Sequence, residues 1–146
     1  MAKDEKMKLS KTGKKTIAGE FRIIANLINE ENDVLSKAYY FSGAYGVVQR
    51  VLNIEYTNEL ALLHSILNNT YIALDNRLKS IISGAERVIR VPGNTFDVLS
   101  SALIKLGDAI MGDQNIYEPL ATMSTIAYMT TGNGYYLLSK GMLRLE

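Results

Sequence analysis

Apolar residues recur at intervals of three and four along almost the whole chain, and this spacing constrains the fold more than any other feature. Such a period puts apolar side chains on one face of an α-helix, whereas a half-buried strand requires alternation at every second residue. The pattern predicts four long amphipathic helices followed by two shorter ones. We expect the six helices at about residues 16–30, 33–52, 58–83, 95–111, 119–131 and 135–145.

Residues that cap or break helices define these boundaries. The residues expected to open the first four helices are Thr16, Asn32 or Asp33, Thr57 or Asn58, and Asn94 or Thr95. Gly84 and Gly112 are expected to stop the third and fourth helices. Residues 86–92 could form a short strand, but a lone strand would have no partner. We therefore favour a connector or a helical extension there.

Each of the long helices carries one apolar stripe that must be buried. The predicted core residues are Ile17, Phe21, Ile24, Ile28, Val34, Ala38, Phe41, Tyr45, Val48, Leu52, Leu60, Leu63, Leu67, Leu74, Leu78, Ile81, Phe96, Leu99, Leu103, Leu106 and Ile110. Short connections place consecutive helices side by side. The expected fold is therefore all-α, an antiparallel four-helix bundle with two shorter additional helices.

Six helices, four of them long, within 146 residues resemble a small family of uncharacterised archaeal proteins built on a left-handed four-helix bundle. The composition, which is rich in Ile and Tyr and lacks Cys, is similar to what such a source would give. The resemblance spans residues 16–145 and rests on the number and length of the helices. It implies the fold alone, because that family has no assigned function from which residues could be transferred.

The charges are distributed unevenly along the chain. Residues 1–15 contain six lysines against Asp4 and Glu5, a net charge of +4, with almost no apolar side chains. We expect these residues to form a flexible lysine-rich tail. Residues 16–146 keep ten of the 16 basic and thirteen of the 15 acidic residues, a net charge of −3, and form the single predicted helical-bundle domain.

The overall composition excludes several classes of protein. The net charge of +1 provides no field that would recruit nucleic acid or a membrane. The longest uncharged stretch, residues 119–139, is too polar to span a membrane. Neither a secretory nor a transit signal is recognisable, and cysteine is absent. We therefore expect a cytoplasmic protein.

Catalytic and metal-binding motifs are absent as well. With no cysteine and one histidine, the chain cannot build a thiolate zinc site or any site that needs two imidazoles. A carboxylate di-metal bundle requires Glu-x-x-His pairs, but Ala61 stands three residues before His64. We expect no metal and no cofactor, and we favour a protein that is not an enzyme.

A polar line on the third helix is the first candidate site. His64, Asn68, Tyr71 and Asp75 project within about 60° of one another, beside the apolar stripe. In a bundle, this is where hydrogen-bonding groups for a small-molecule ligand would lie. Alternatively, this line is an ordinary half-exposed flank, where Tyr71 covers the core edge and Asp75 pairs with Lys79.

The second candidate lies on one side of the second helix, where Tyr39, Gly43, Gly46 and Arg50 align. A glycine inside a helix costs about 1 kcal/mol relative to alanine, so the missing side chains should serve a purpose. That purpose could be close approach of another helix, within the chain or in a dimer. It could also be a ligand pressed against the backbone, with Arg50 contacting an anionic group.

These observations favour a self-associating scaffold or interaction protein, with a homodimer as the preferred form. Nine tyrosines add to this hypothesis, because exposed tyrosine is enriched at interfaces, and the Tyr39-Tyr40 and Tyr135-Tyr136 pairs must each direct one ring outward. The alternative is a small-molecule binding protein with its pocket beside the third helix. A weaker alternative is a nucleic-acid accessory protein that uses the lysine-rich tail.

Overall fold

A computed structural model describes residues 9–82 and 94–130, and within them the side chains of residues 9–76 and 94–128. All regular secondary structure in this part of the chain is helical, which confirms the all-α class. Its helices are α1 (Lys11–Glu30), α2 (Val34–Leu52), α3 (Asn58–Ile82), α4 (Thr95–Met111) and α5 (Tyr117–Thr130). The predicted sixth helix, the stop at Gly84 and the segment 86–92 lie outside the described residues.

Side-chain caps define the starts of α2 and α3 where the sequence predicts them. The Asp33 carboxylate accepts a hydrogen bond from the backbone N–H of Ser36 at 2.9 Å. The Thr57 hydroxyl accepts one from the backbone N–H of Leu60 at 3.0 Å. Two hydrogen bonds from Ser36 lower the pKa of Asp33, and the one from the Ser36 side chain has a larger effect than the one from its backbone N–H. Both caps satisfy backbone donors that a helix start leaves unpaired.

The predicted start of α1 at Thr16 is wrong. The helix begins at Lys11, and Ser10 is its N-cap, accepting from the backbone N–H of Gly13 at 3.0 Å. Leu9, just before this cap, is buried against the core and anchors the chain there. Residues 11–15 of the predicted tail are therefore helical, while residues 1–8 lie outside the described residues.

The helices pack in a closed order, α1–α2–α3–α5–α4, in which α4 returns to α1. The predicted four-helix arrangement would place α3 beside α4, but this pair is not among those in substantial contact in the described part of the chain. Instead α5 contacts both of them, because its side chains Leu120, Met123 and Ile126 are buried in the common core. The fifth helix is thus a full wall of the core and not an addition to it.

Contacts along α1 show its orientation against α4. Asn29, near the end of α1, accepts a hydrogen bond from Ser100 in the first half of α4 at 2.7 Å. Lys14, near the start of α1, forms an ion pair with Asp113, which follows α4. The two helices therefore run antiparallel.

The closest approach of α1 to α4 is at Gly107. A Cβ atom at this position would lie 3.1 Å from the Cα atom of Ala18 and 3.4 Å from its carbonyl oxygen. Both atoms are backbone atoms that cannot rotate away. An alanine at this position would have to push the α1 backbone away, so Gly107 allows the two helices to pack this closely.

Most predicted core positions are confirmed. The stripes of α1 and α4 are buried throughout, as are Leu60, Leu63, Leu67 and Leu74 of α3, whereas the side chains of Leu78 and Ile81 lie outside the described set. Tyr45 and Leu52 of α2 are partly buried. Val34 is 45% exposed and its prediction is wrong, because it is the first residue of α2 and lies at the turn from α1.

The packing at Gly107 makes opposite predictions for two glycine-to-alanine substitutions. We expect Gly107→Ala to lower the free energy of unfolding by about 1–3 kcal/mol, because the new methyl group overpacks the α1–α4 contact. Gly19→Ala should raise it by about 0.5–1 kcal/mol, because nothing lies within 4 Å of that position and alanine favours helix. Urea denaturation measures both. Equal stabilisation by the two substitutions would contradict the close packing.

Candidate functional site

Tyr39, Gly43, Gly46 and Arg50, here called the α2 stripe, lie on the outer side of α2. Their spacing of four, three and four residues keeps them within about 60° around the helix axis. The Tyr39 side chain is 71% exposed, which confirms that one ring of the Tyr39-Tyr40 pair points outward. The corresponding pair at residues 135 and 136 lies outside the described residues.

Within the described chain, no helix packs closely on the glycines of the α2 stripe. A Cβ atom at Gly43 would come no nearer than 3.4 Å to Cδ1 of Ile24, an ordinary van der Waals contact. A Cβ atom at Gly46 would find only the Nη1 atom of Arg50, at 4.0 Å. Close packing inside the chain therefore does not explain these two glycines, in contrast to Gly107.

Arg50 is held at the edge of α2 by α1. Its Nη2 atom donates to both carboxylate oxygens of Glu20, at 2.9 and 3.0 Å. Exposed ion pairs of this kind add little stability. The Glu20 carboxylate nevertheless neutralises the positive charge that an anionic ligand at Arg50 would need, so the geometry does not favour the anion-binding alternative.

Exposed apolar side chains surround the α2 stripe. Ile23 of α1 is 60% exposed, and Leu27 of α1 and Leu35 of α2 are also exposed. Glu20 and Ile24 contact Arg50 and Gly43, so helical spacing puts Ile23 and Leu27 on the outer side of the same helix pair. We call this surface, formed by Ile23, Leu27, Leu35 and the α2 stripe, the α1–α2 face. Clusters of exposed apolar residues are typical of interaction surfaces.

The polar line on α3 meets α2 at its first residue. The Nε2 atom of His64 lies 2.6 Å from Oε1 of Gln49, and the imidazole stacks on the Tyr45 ring with centroids 4.3 Å apart. The Gln49 amide in turn donates to Oδ1 of Asn53 at 3.1 Å. These contacts connect α2 to α3 and occupy the His64 end of the proposed ligand site.

The other three residues of this line are partly buried along the same helix. Tyr71 packs against the core, as expected if the polar line is an ordinary half-exposed flank of α3. Asp75 already has an interaction partner. The side chain of Lys79 lies outside the described set. The structure has a cleft of about 470 Å³ between α4 and α5 and another of about 150 Å³ between α3 and α5. Neither is lined by His64, Asn68, Tyr71 or Asp75.

Two further results concern the described residues as a whole. They contain no group of three or more His, Asp or Glu side chains placed to hold a metal ion. None of their helices has the length and apolar character needed to cross a membrane.

A hydrogen-bonded contact that sequence reasoning missed joins α1 to the α2–α3 turn. The Glu55 carboxylate accepts from the hydroxyl of Ser10 at 2.5 Å and from its backbone N–H at 2.7 Å. Both hydrogen bonds lower the pKa of Glu55, and the bond from the Ser10 hydroxyl has the larger effect. The two residues are 45 positions apart, and no local pattern indicates such a pairing.

No protein-family model, curated protein or solved structure matches this chain. The resemblance to an archaeal helical-bundle family therefore stays a prediction.

The contact between Gln49 and His64 should appear as an energetic coupling. We expect a double-mutant cycle of Gln49→Ala and His64→Ala to give a coupling energy of about 1 kcal/mol in urea denaturation, because the two side chains share a hydrogen bond. The control cycle pairs Gln49→Ala with Asn69→Ala, since Asn69 lines the α3–α5 cleft on the other side of α3. Equal coupling in both cycles would contradict a specific contact.

The Glu55 contact makes stability depend on pH. The folded-state pKa of Glu55 is lowered, so its contribution is complete above the unfolded carboxyl pKa of about 4.3 and is lost as pH falls through the folded value. We expect Glu55→Gln to be less stable than the wild type at pH 7, with the difference shrinking in acid. Ser10→Ala keeps the Glu55 carboxylate and removes its main hydrogen-bond donor. This substitution should also weaken the dependence of the free energy of unfolding on pH. Parallel profiles for the wild type and Glu55→Gln would be evidence against the contact.

Proposed function

We propose that this protein is a non-enzymatic helical bundle that self-associates, as a homodimer in its preferred form, and acts as a scaffold or interaction module. The observation that carries the proposal is the bare backbone of Gly43 and Gly46 on the outer side of α2. In this proposal the α1–α2 face is the interface. In the same proposal the four long helices form an antiparallel bundle that α5 completes between α3 and α4, and the protein works in the cytoplasm, for which the cysteine-free sequence is suited.

The cost of the two glycines supports this function. Each glycine inside a helix costs about 1 kcal/mol relative to alanine, so replacing both would stabilise an isolated chain. Helix packing within the described chain gives no reason to keep them. A second copy whose backbone approaches at these positions would provide one. The exposed Ile23, Leu27 and Leu35 around them would then be buried in the complex.

The geometry gives less support to the two other functions. A small-molecule pocket beside α3 would have to displace the contacts of His64 with Tyr45 and Gln49. A nucleic-acid accessory role would use lysines of residues 1–15, but Lys14 is already paired with Asp113.

Sedimentation equilibrium of the wild type, together with native mass spectrometry, tests the proposal. We expect a mass of twice 16.2 kDa that dissociates on dilution. Gly46→Leu should abolish the dimer, because its side chain projects from the α1–α2 face, while the fold stays stable. Ala121→Leu is the matched control, an exposed helical position on α5, outside the α1–α2 face, and should dimerise like the wild type.

Two outcomes would contradict self-association through this face. One is a wild-type chain that remains monomeric at the highest concentration reached. The other is an identical dissociation constant for the wild type, Ala121→Leu and Gly46→Leu. Circular dichroism of each variant verifies that any loss of dimer is not a loss of fold.

A further inference from the structure

We infer that the cleft between α4 and α5 binds a small amino acid with a cationic side chain, such as free lysine. The inference goes beyond the proposed self-association and does not depend on it, because this cleft shares no residue with the α1–α2 face. Its volume of about 470 Å³ lies in the range of sites that bind small molecules.

Charged side chains of both signs line this cleft. Asp97 and Lys105 come from α4, and Glu118 comes from the first turn of α5. All three residues are exposed, and none of them belongs to an ion pair among the described side chains. A ligand with matching charges can therefore bind them without breaking an existing pair, whereas it would have to displace Glu20 from Arg50 on α2.

The sum of these charges favours a ligand of net positive charge. Two carboxylates and one ammonium group leave the lining of the cleft with a net charge of −1. An amino acid with a cationic side chain has the complementary set, which is two cations and one carboxylate. In the complex, Lys105 pairs with the ligand carboxylate, and Asp97 and Glu118 pair with its two cationic groups. Complementary charges of this kind determine which ligand binds and in which orientation.

The floor of the cleft is apolar and suits the methylene groups of such a ligand. Val98 is partly buried, and Ala102 and Pro119 are buried. The aliphatic part of a lysine packs on apolar surface while its ammonium group stays at the polar edge. The lining residues of α4 extend from Asn94 to Lys105, roughly 16 Å along the helix axis. An extended aliphatic chain therefore fits lengthwise in the cleft.

Two hydroxyl groups provide hydrogen-bonding partners between the charges. Ser101 stands four residues after Asp97 and four residues before Lys105, so helical spacing aligns the three on one side of α4. Thr122 lines the cleft from α5, and its hydroxyl donates to the backbone carbonyl of Glu118 at 3.3 Å. The Thr122 oxygen keeps its acceptor capacity for an ammonium group of the ligand.

Three ligands with the same aliphatic chain test this assignment. The first is L-lysine, the second is L-norleucine, which lacks the side-chain ammonium group, and the third is cadaverine, which lacks the carboxylate. Titrations of the full-length chain, labelled with nitrogen-15 and followed by NMR at matched ionic strength, give a dissociation constant for each. We expect lysine to bind about threefold to fivefold more tightly than either analogue, because each analogue loses one exposed ion pair.

Substitutions of exposed residues then identify the partner of each ligand group. Lys105→Met should reverse the preference between lysine and cadaverine, because the ligand carboxylate then faces only Asp97 and Glu118. Glu118→Gln should reduce the preference for lysine over norleucine. Lys15→Met removes an exposed lysine of α1 that does not line the cleft, and this matched control should keep the wild-type order of affinities.

The outcomes separate this inference from the proposed function. A wild-type chain in which the amides of α4 and α5 do not shift with millimolar lysine overturns the assignment. An order of affinities that Lys105→Met leaves unchanged also overturns it. Reversal of the order by Lys105→Met, but not by Lys15→Met, supports it. These titrations apply to a monomer and a dimer alike, so their failure leaves self-association standing.

Discussion

The packing of α1 against α4 is the contact on which the rest of the domain depends. These helices meet where Gly107 lies against the backbone of Ala18, and no side chain larger than hydrogen fits there without displacing one of them. Because α1 also packs on α2, it joins the two sides of the closed helix order. Polar contacts along the pair, from Lys14 to Asp113, from Arg22 to Asp108 and from Asn29 to Ser100, fix the register of the two helices.

Glycine serves different purposes in α4 and in α2. The absence of a side chain at Gly107 allows α1 and α4 to pack closely, and this packing offsets the destabilising effect of a glycine inside a helix. At Gly43 and Gly46 none of the described contacts offsets this destabilising effect. The outer side of α2 is therefore the strongest candidate site. In the α2 stripe, Tyr39 stands four residues before Gly43 and Arg50 stands four residues after Gly46. An aromatic ring and a cation therefore flank the open backbone at equal distances.

The sequence predicts the helices well and their arrangement less well. Periodicity and capping residues such as Asp33 and Thr57 are local features, so the bounds of α2 to α4 can be read from the chain. Thr16 is misleading as a cap because Ser10 and the apolar Leu9 provide a better one earlier in the chain. The order of packing depends on α5, whose burial between α3 and α4 is a property of the assembled core and not of any helix alone.

The candidate sites differ in how far sequence reasoning could reach. Alignment of the α2 stripe follows from helix geometry, but whether its glycines face a neighbouring helix depends on where α1 lies. The alignment of His64, Asn68, Tyr71 and Asp75 on one side of α3 also follows from helix geometry, yet the contact of His64 with Gln49 depends on the rotation of α2. The pairing of Ser10 with Glu55 joins distant parts of the chain, and no local signal indicates it.

The closed order of helices also has a consequence for synthesis on the ribosome. The residues that meet at the closest helix contact, Ala18 and Gly107, are 89 positions apart in the sequence. At translation rates of roughly 5–20 residues per second, α1 waits for about 4–18 s before its partner exists. During that interval α2 can cover one side of α1, but the side that α4 will occupy stays open to water and to other nascent chains. The step that commits this domain to its fold therefore comes late, when the fourth helix reaches the first.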